Sequence, residues 1–338
     1  MGQAAAILGC EGPRLLPAET AFFRDADPWG FILFARNVET PDQLRRLTGA
    51  LREAVGRDAP VFVDQEGGRV QRLRAPHWRE WLPPADQMAA TAAQGPQAQA
   101  RAVWLRYRLI AAELRAVGID GNCAPTADVA GPLTHPFLAN RCFATQAEEV
   151  VPAARACAEG LLAGGVLPVM KHIPGHGRAA VDSHIGLPRV AAARADLASD
   201  FAPFAALSDL PAAMTAHVVY EAIDPDRPAT VSPAAIGVIR EVIGFGGLLL
   251  SDDLSMQALP GTIGDRAGAA IAAGCDIALH CNGARAEMEA VLAAAGTLTP
   301  AACARAQAAL ARRRAPEPVD SRALVAEFEA LMPGTAHA

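Results

Sequence analysis

Eight short apolar runs, separated by stretches of helical periodicity, constrain this chain more than any other feature. They are AAAIL at 4–8, GFILFA at 30–35, VFVD at 61–64, IDGNCAP at 119–125, VLPVMKH at 166–172, AAMTAHV at 212–218, GLLLSDD at 247–253 and CDIAL at 275–279. Between them, segments such as TPDQLRRLTGALREAV and QAQARAVWLRYRLIAAELRAVG place apolar residues at helical spacing. Strands apolar on both faces and alternating with helices belong to parallel sheets covered by those helices. Eight of them in 338 residues predict an α/β fold, a single (β/α)8 TIM-type barrel with irregularity expected in its first strands. An open doubly wound sheet is the alternative, but no GxGxxG-type turn follows an early run.

Polar residues gather at the C-terminal ends of these runs: Arg36 and Asn37, Asp64 and Glu66, Asp128, Lys171 and His172, His217, Asp252 and Asp253, His280 and Asn282. In a barrel these ends share one face, where the loops that follow the strands build the active site. Any one of them would serve equally well as a helix cap or a solvated loop residue. Their recurrence after so many runs is what points to a site. Beyond about residue 283 the chain reads as a final helix or two, with APEPVD a bend and the tail from about 315 to 338 helical and then frayed. No repeat, low-complexity tract or linker interrupts it, so residues 1–338 are expected to form one catalytic domain.

Hydrophobic residues make up 51% of the chain and charged ones 20%, enough for a sizeable core. A net charge of −6 argues against nucleic acid or an anionic membrane as partner, since both call for a basic field. The expected partner is a small-molecule substrate, with no obligate protein partner and no cofactor. The seven cysteines, at 10, 123, 142, 157, 275, 281 and 303, are odd in number and form no CxxC pair. Buried reduced thiols in a reducing compartment are the plain reading. The start, MGQAAAILGCEGPRLL, lacks the basic leader and apolar stretch of a signal peptide. No apolar segment reaches the roughly 18 residues of a membrane span. These features together predict a cytoplasmic protein.

The stretch KHIPGHGRAAVDSHIGLP, Lys171 to Pro188, concentrates three histidines, an aspartate and a lysine, and so suggests a metal site, an anion site or proton transfer. Asp182 and His184 lie two apart and share a face in an extended segment. An aspartate accepting from an imidazole fixes its tautomer and frees the other nitrogen for proton transfer. A turn-forming aspartate beside a loop histidine is the blander reading. Lys171 and His172 follow directly from an apolar run, so at least one is buried, and a buried lysine needs an anionic or hydroxyl-rich partner. His176, within PGHG, and Asp128 read as structural. In SDD, side-chain alternation sends one carboxylate into the barrel mouth and the other away. That yields one candidate nucleophile or base and one structural acid, without saying which is which. VDQEGGRVQRL brings Asp64, Glu66, Arg69 and Arg72 together, and NRCF adds Arg141. Carboxylates and guanidinium groups in a cleft suit a polyhydroxylated ligand, though a surface salt-bridge cluster reads equally well.

VDQEGGRVQR, NRCF, KHIPGHG followed by DSH, MTAHVVY, SDDLSM and AGCD occur in this order between Phe31 and Asn282. Together they resemble bacterial β-N-acetylglucosaminidases (β-hexosaminidases) of glycoside hydrolase family 3, in the compact single-barrel form that acts in cell-wall recycling. The resemblance implies a cytoplasmic enzyme that releases β-1,4-linked N-acetylglucosamine from muropeptides bearing a 1,6-anhydro-N-acetylmuramyl partner, with retention at the anomeric carbon. It implies Asp252 as nucleophile with Asp253 in support, and His184 as general acid/base, tuned by Asp182 on a mobile loop. Asp64, Arg72, Arg141, Lys171 and His172 would bind the sugar hydroxyls, with His217 near the site. This chain departs from the family pattern at Ile173, where phenylalanine is usual, and at Cys142 and Ala144, where serine and glycine are usual. The rivals are a phosphorylase or β-glucosidase of the same family, a non-catalytic sugar-binding barrel, and a metal-dependent barrel hydrolase using His172, His176 and His184. The last calls for histidines fixed on strands, and the first strand carries no HxH.

Overall fold

In the computed structural model, the described residues are 2–181, 183 and 186–332. Eight strands, one in each apolar run, form its centre: β1 (Ala4–Gly9), β2 (Pro28–Leu33), β3 (Val61–Val63), β4 (Gly121–Asn122), β5 (Leu167–Ile173), β6 (Ala212–Thr215), β7 (Leu248–Leu250) and β8 (Ala278–His280). Each lies parallel to its neighbour in the chain, and β8 pairs with β1. A parallel bridge from Leu250 to Ile277, just ahead of β8, brings the two ends of the sheet together. The result is the expected (β/α)8 barrel. The irregularity expected in the first strands is a register shift between Ala4 and Ile7, where β1 meets β2. A second shift, on β5 between Lys171 and Ile173, bears directly on the site.

Alternation along the strands divides the apolar residues into two cores. Ile7, Ile32, Phe62, Val169, Leu248 and Leu279 face inward and fill the barrel, while Leu8, Phe31, Val63, Met170 and Leu249 face the helices. The helix Pro41–Val55 shows how the outer shell is made. Thr40 caps it, its hydroxyl accepting from the Gln43 N–H at 3.2 Å, and Gly56 ends it at φ 65°. Its buried stripe of Leu44, Leu47 and Leu51 lies at helical spacing, each worth about 1.5–3 kcal/mol when fully buried.

The N-terminal end of the barrel is closed by the helix Pro300–Ala311, which adds Ala306 and Ala309 to the inner core. Arg305 grips Asp276 there through two bonds of 2.5 and 2.9 Å, and Arg240 joins at 3.0 Å. With that end sealed, the C-terminal ends of the strands are left as the open face. The tail is helical over Ser321–Leu331 and packs on the helix Pro96–Arg115, with Glu327 accepting two bonds from Arg101 at 2.7 and 2.8 Å. Among the described residues no helix is long and apolar enough to cross a membrane. All seven cysteines are free thiols, six of them buried.

Candidate active site

The alternation that fills the barrel also decides what reaches its mouth. Phe62, Val169, Leu250 and Leu279 point inward, and two residues further along each strand come Asp64, Lys171, Asp252 and Cys281. All four line a cavity at the open face, about 610 Å³ including its mouth. Lys171 and His172 both line it, although simple alternation would send them to opposite sides. The shift on β5, where Lys171 pairs with Met214 but Ile173 with Thr215, breaks the alternation at His172.

One side of the cavity is a closed network of charges. Lys171 Nζ lies 3.0 Å from Asp64 Oδ1 and 2.6 Å from Glu66 Oε1. Arg141 binds Glu66 through two parallel bonds of 2.9 and 2.8 Å, and Arg72 reaches Asp64 at 3.0 Å. Burial alone would raise the Asp64 carboxyl, but Lys171 and Arg72 outweigh it and hold it well below the usual range. Glu66 is likewise raised by burial, yet Arg141 and Lys171 bring it down to about 2. Burial disfavours the charged forms of Lys171 and Arg141, but the carboxylates more than compensate and both values rise. Asp64, Glu66, Lys171 and Arg141 are therefore ionised at neutral pH. Glu66 stands at the centre of this network; the sequence grouped it with Asp64, Arg69 and Arg72, but the sugar-binding residues implied by the resemblance did not include it. The available signal was the charge count, since two buried cations need more acid than Asp64 supplies.

The other side is built on imidazoles. Asp128, fully buried, accepts from His172 Nδ1 at 2.7 Å and from the His176 backbone N–H at 2.6 Å. Burial would raise its carboxyl, but His172 and His176 together bring it down. Held through Nδ1 by Asp128, the His172 ring lines the cavity. Asp128 read as structural in the sequence, and here it orients that ring. His217 is fully buried, with Nδ1 2.7 Å from Thr230 Oγ1 and Nε2 3.0 Å from the Asp253 carbonyl oxygen. Burial lowers its pKa and keeps it neutral, so Nε2–H donates to that carbonyl and Nδ1 accepts from the Thr230 hydroxyl. The chain continues through Thr215, 2.8 Å from Thr230, to the Asp252 N–H at 3.3 Å. The resemblance put His217 near the site, and here its Nε2 meets the Asp253 carbonyl oxygen while its Nδ1 meets Thr230.

The two adjacent carboxylates differ in what holds them. Asp253 Oδ1 accepts from the N–H groups of Ser255 and Cys281, both at 3.1 Å, and Oδ2 from the Ser255 hydroxyl at 2.6 Å. Asp252 Oδ1 accepts from the Asp253 N–H at 2.8 Å. Among the described residues, nothing is hydrogen-bonded to Asp252 Oδ2. Burial pushes the Asp252 carboxyl up, His217 and His172 pull it down, and the net direction is down. The cavity thus contains an anionic oxygen free to act as nucleophile or base. Asp182 and His184 lie outside the described residues. Ser183, between them, lines the cavity with its Oγ 3.3 Å from His176 Nε2. Among the described residues no three His, Cys, Asp or Glu side chains are grouped to hold a metal.

The sequence signature of the glycosyl hydrolase family 3 N-terminal domain matches residues 22–312. The chain is 43% identical to a β-hexosaminidase of Methylococcus capsulatus over 278 residues, 80% of each protein. It is 42% identical over 287 residues to one of Alkalilimnicola ehrlichii, covering 82% of this chain and 80% of that protein. In three dimensions it is similar to native NagZ from Neisseria gonorrhoeae, with a TM-score of 0.87, 31% identity and 98% of both chains covered. NagZ of that organism has also been solved in complex with N-trifluoroacetyl-D-glucosamine, with a TM-score of 0.84 to this chain over 98% of its length. Barrel, cavity and sequence agree across most of the chain, which belongs to glycosyl hydrolase family 3 and is a glycoside hydrolase of the β-N-acetylhexosaminidase type.

Proposed function

We propose that this chain is a retaining exo-β-N-acetylglucosaminidase that acts in the cytoplasm as a single catalytic domain. Its substrates in this reading are muropeptides, from which it removes terminal β-1,4-linked N-acetylglucosamine next to a 1,6-anhydro-N-acetylmuramyl residue during peptidoglycan recycling. The observation that carries the reading is Asp252, anionic at the barrel mouth with one oxygen unengaged among the described residues while Asp253 is tied down beside it.

In this mechanism Asp252 Oδ2 attacks the anomeric carbon as the bond to the aglycone oxygen breaks. His184, paired with Asp182, gives that oxygen its proton. A water then attacks the glycosyl ester, returning its proton to His184 and freeing Asp252. A neutral imidazole in that role avoids placing a second negative charge beside the ester. Asp64 accepts from sugar hydroxyls, His172 hydrogen-bonds to one, and Arg72, Arg141 and Lys171 donate to them. The ion pairs fix these groups before substrate arrives, which lowers the ordering cost of binding. An N-acylated glucosamine is bound to the similar N. gonorrhoeae NagZ, in keeping with this substrate class.

Proton NMR of the reaction with a GlcNAc-1,6-anhydroMurNAc-peptide tests the reading. The β-anomer of free N-acetylglucosamine should appear first, at a rate unchanged by chelators or added phosphate. First appearance of the α-anomer would overturn retention. Formation of the sugar 1-phosphate would make the enzyme a phosphorylase, and loss of activity on chelation would require a metal.

A further inference from the structure

The loop after β5 leads from the strand end to Ser183 at the cavity wall. From 175 to 179 it is fastened on every side. The Tyr220 hydroxyl donates to the Gly175 carbonyl, Asp128 accepts the His176 N–H at 2.6 Å, and the Thr134 hydroxyl donates to the Gly177 carbonyl. Gly177 lies so close to Val129 that a Cβ there would stand 1.8 Å from the Val129 carbonyl oxygen. The His135 N–H closes the segment on Ala179 at 3.1 Å. Among the described residues of 180–187, the one hydrogen bond to the rest of the protein joins Ser183 Oγ to His176 Nε2 at 3.3 Å.

His176 is itself well placed to be an anchor. It is 7% exposed, and its ring stands edge-on to that of His172, with centroids 5.5 Å apart. We propose that His176 is a positioning residue: its Nε2 fixes Ser183 at the cavity wall, and so sets the place of the chain neighbours Asp182 and His184. The proposal rests on the reading of His184 as the acid/base. Burial, helped by the neighbouring His172, lowers the His176 pKa to about 4, so the ring stays neutral and the bond to Ser183 is intact across the working pH range. PGHG is then more than a turn, since its histidine connects the substrate-gripping strand end to the proton-transfer segment.

His176→Phe keeps the ring and its packing, Ser183→Ala removes only a hydroxyl, and both delete the same bond. Each should lower kcat by roughly 3–10-fold on substrates with a poor leaving group, the size of one lost neutral hydrogen bond. The loss should be smaller with a 2,4-dinitrophenyl leaving group, which needs no protonation, and KM should change little. The double variant should be no slower than the worse single one. His176→Gln, whose amide can reach Ser183, should recover part of the rate. Equal losses on both leaving groups, or strictly additive effects, would overturn the proposal. If His176→Phe fails to fold, Ser183→Ala alone still decides on leaving-group dependence. His184→Ala is the control. If it shows no leaving-group dependence, the acid/base reading falls; if it does while His176→Phe and Ser183→Ala do not, only the positioning role falls.

Discussion

On one side of the cavity, Asp64, Glu66, Arg72, Arg141 and Lys171 form a set of charges that satisfy one another at 2.6–3.0 Å. On the other, His172, His176 and His217 are oriented by Asp128, Ser183, Thr230 and the Asp253 carbonyl, and Asp252 retains an oxygen that no described residue engages. The first side cannot easily change its protonation, because each charge is stabilised by another. Such a wall suits recognition of hydroxyls in a fixed geometry. The second keeps imidazole rings close to the carboxylates of Asp128 and Asp252, where charge can be made and removed as bonds change. Gripping the sugar and transforming it are thus divided between two kinds of electrostatics.

The division can be broken most sharply at Asp252. Asp252→Ala should reduce kcat by roughly 10⁴-fold or more while leaving the fold intact, as loss of a nucleophile does elsewhere. An activity loss of only a few-fold would move the nucleophile to another group. On the charged side the larger effect should be on stability. Glu66→Ala leaves Arg141 and Lys171 buried without their shared carboxylate, which should cost about 3–5 kcal/mol in urea unfolding. Unfolding like that of the wild type would show that Glu66 does not hold this wall together.

A smaller effect separates the two sides by pH. The Asp64 and Glu66 carboxyls are lower in the fold than their ordinary values of 3.8 and 4.5. Their stabilisation is complete above that range and is lost as pH falls toward about 2. His176 is lowered from 6.5 to about 4, so the unfolded chain takes up its proton first. That contribution is complete above pH 6.5 and is lost between there and about 4. Stability should therefore fall in two stages on acidification, and His176→Phe should reduce the slope of the first, which His217 and His280 share, while leaving the second. An unchanged slope between pH 6.5 and 4 would show that His176 does not titrate this way.

The barrel was legible because each strand is a short apolar run ending in polar residues, a pattern that needs no knowledge of long-range partners. Asp64, the Lys171–His172 pair and the Asp252–Asp253 pair could be placed at the barrel mouth for the same reason, each following directly from an apolar run. What the sequence hid depended on distant contacts. Glu66 matters through Arg141, 75 residues away, and Asp128 through His172, 44 residues away. The choice between Asp252 and Asp253 turned on Ser255 and Cys281, whose N–H groups occupy Asp253. His217 looked like a site residue because it follows a strand, but its ring turns back to Thr230 and the Asp253 carbonyl. The facing of His172 was illegible because a register shift leaves no mark in residue type.

The central claim is that Asp252 forms the covalent bond to the sugar. Incubation with a 5-fluoro glycosyl donor of N-acetylglucosamine, followed by intact-mass measurement and peptide mapping, tests it directly. The account predicts a single added glycosyl group, located on Asp252 and absent from Asp252→Ala. Labelling of Asp253, or turnover of the donor without any trapped adduct, would contradict it.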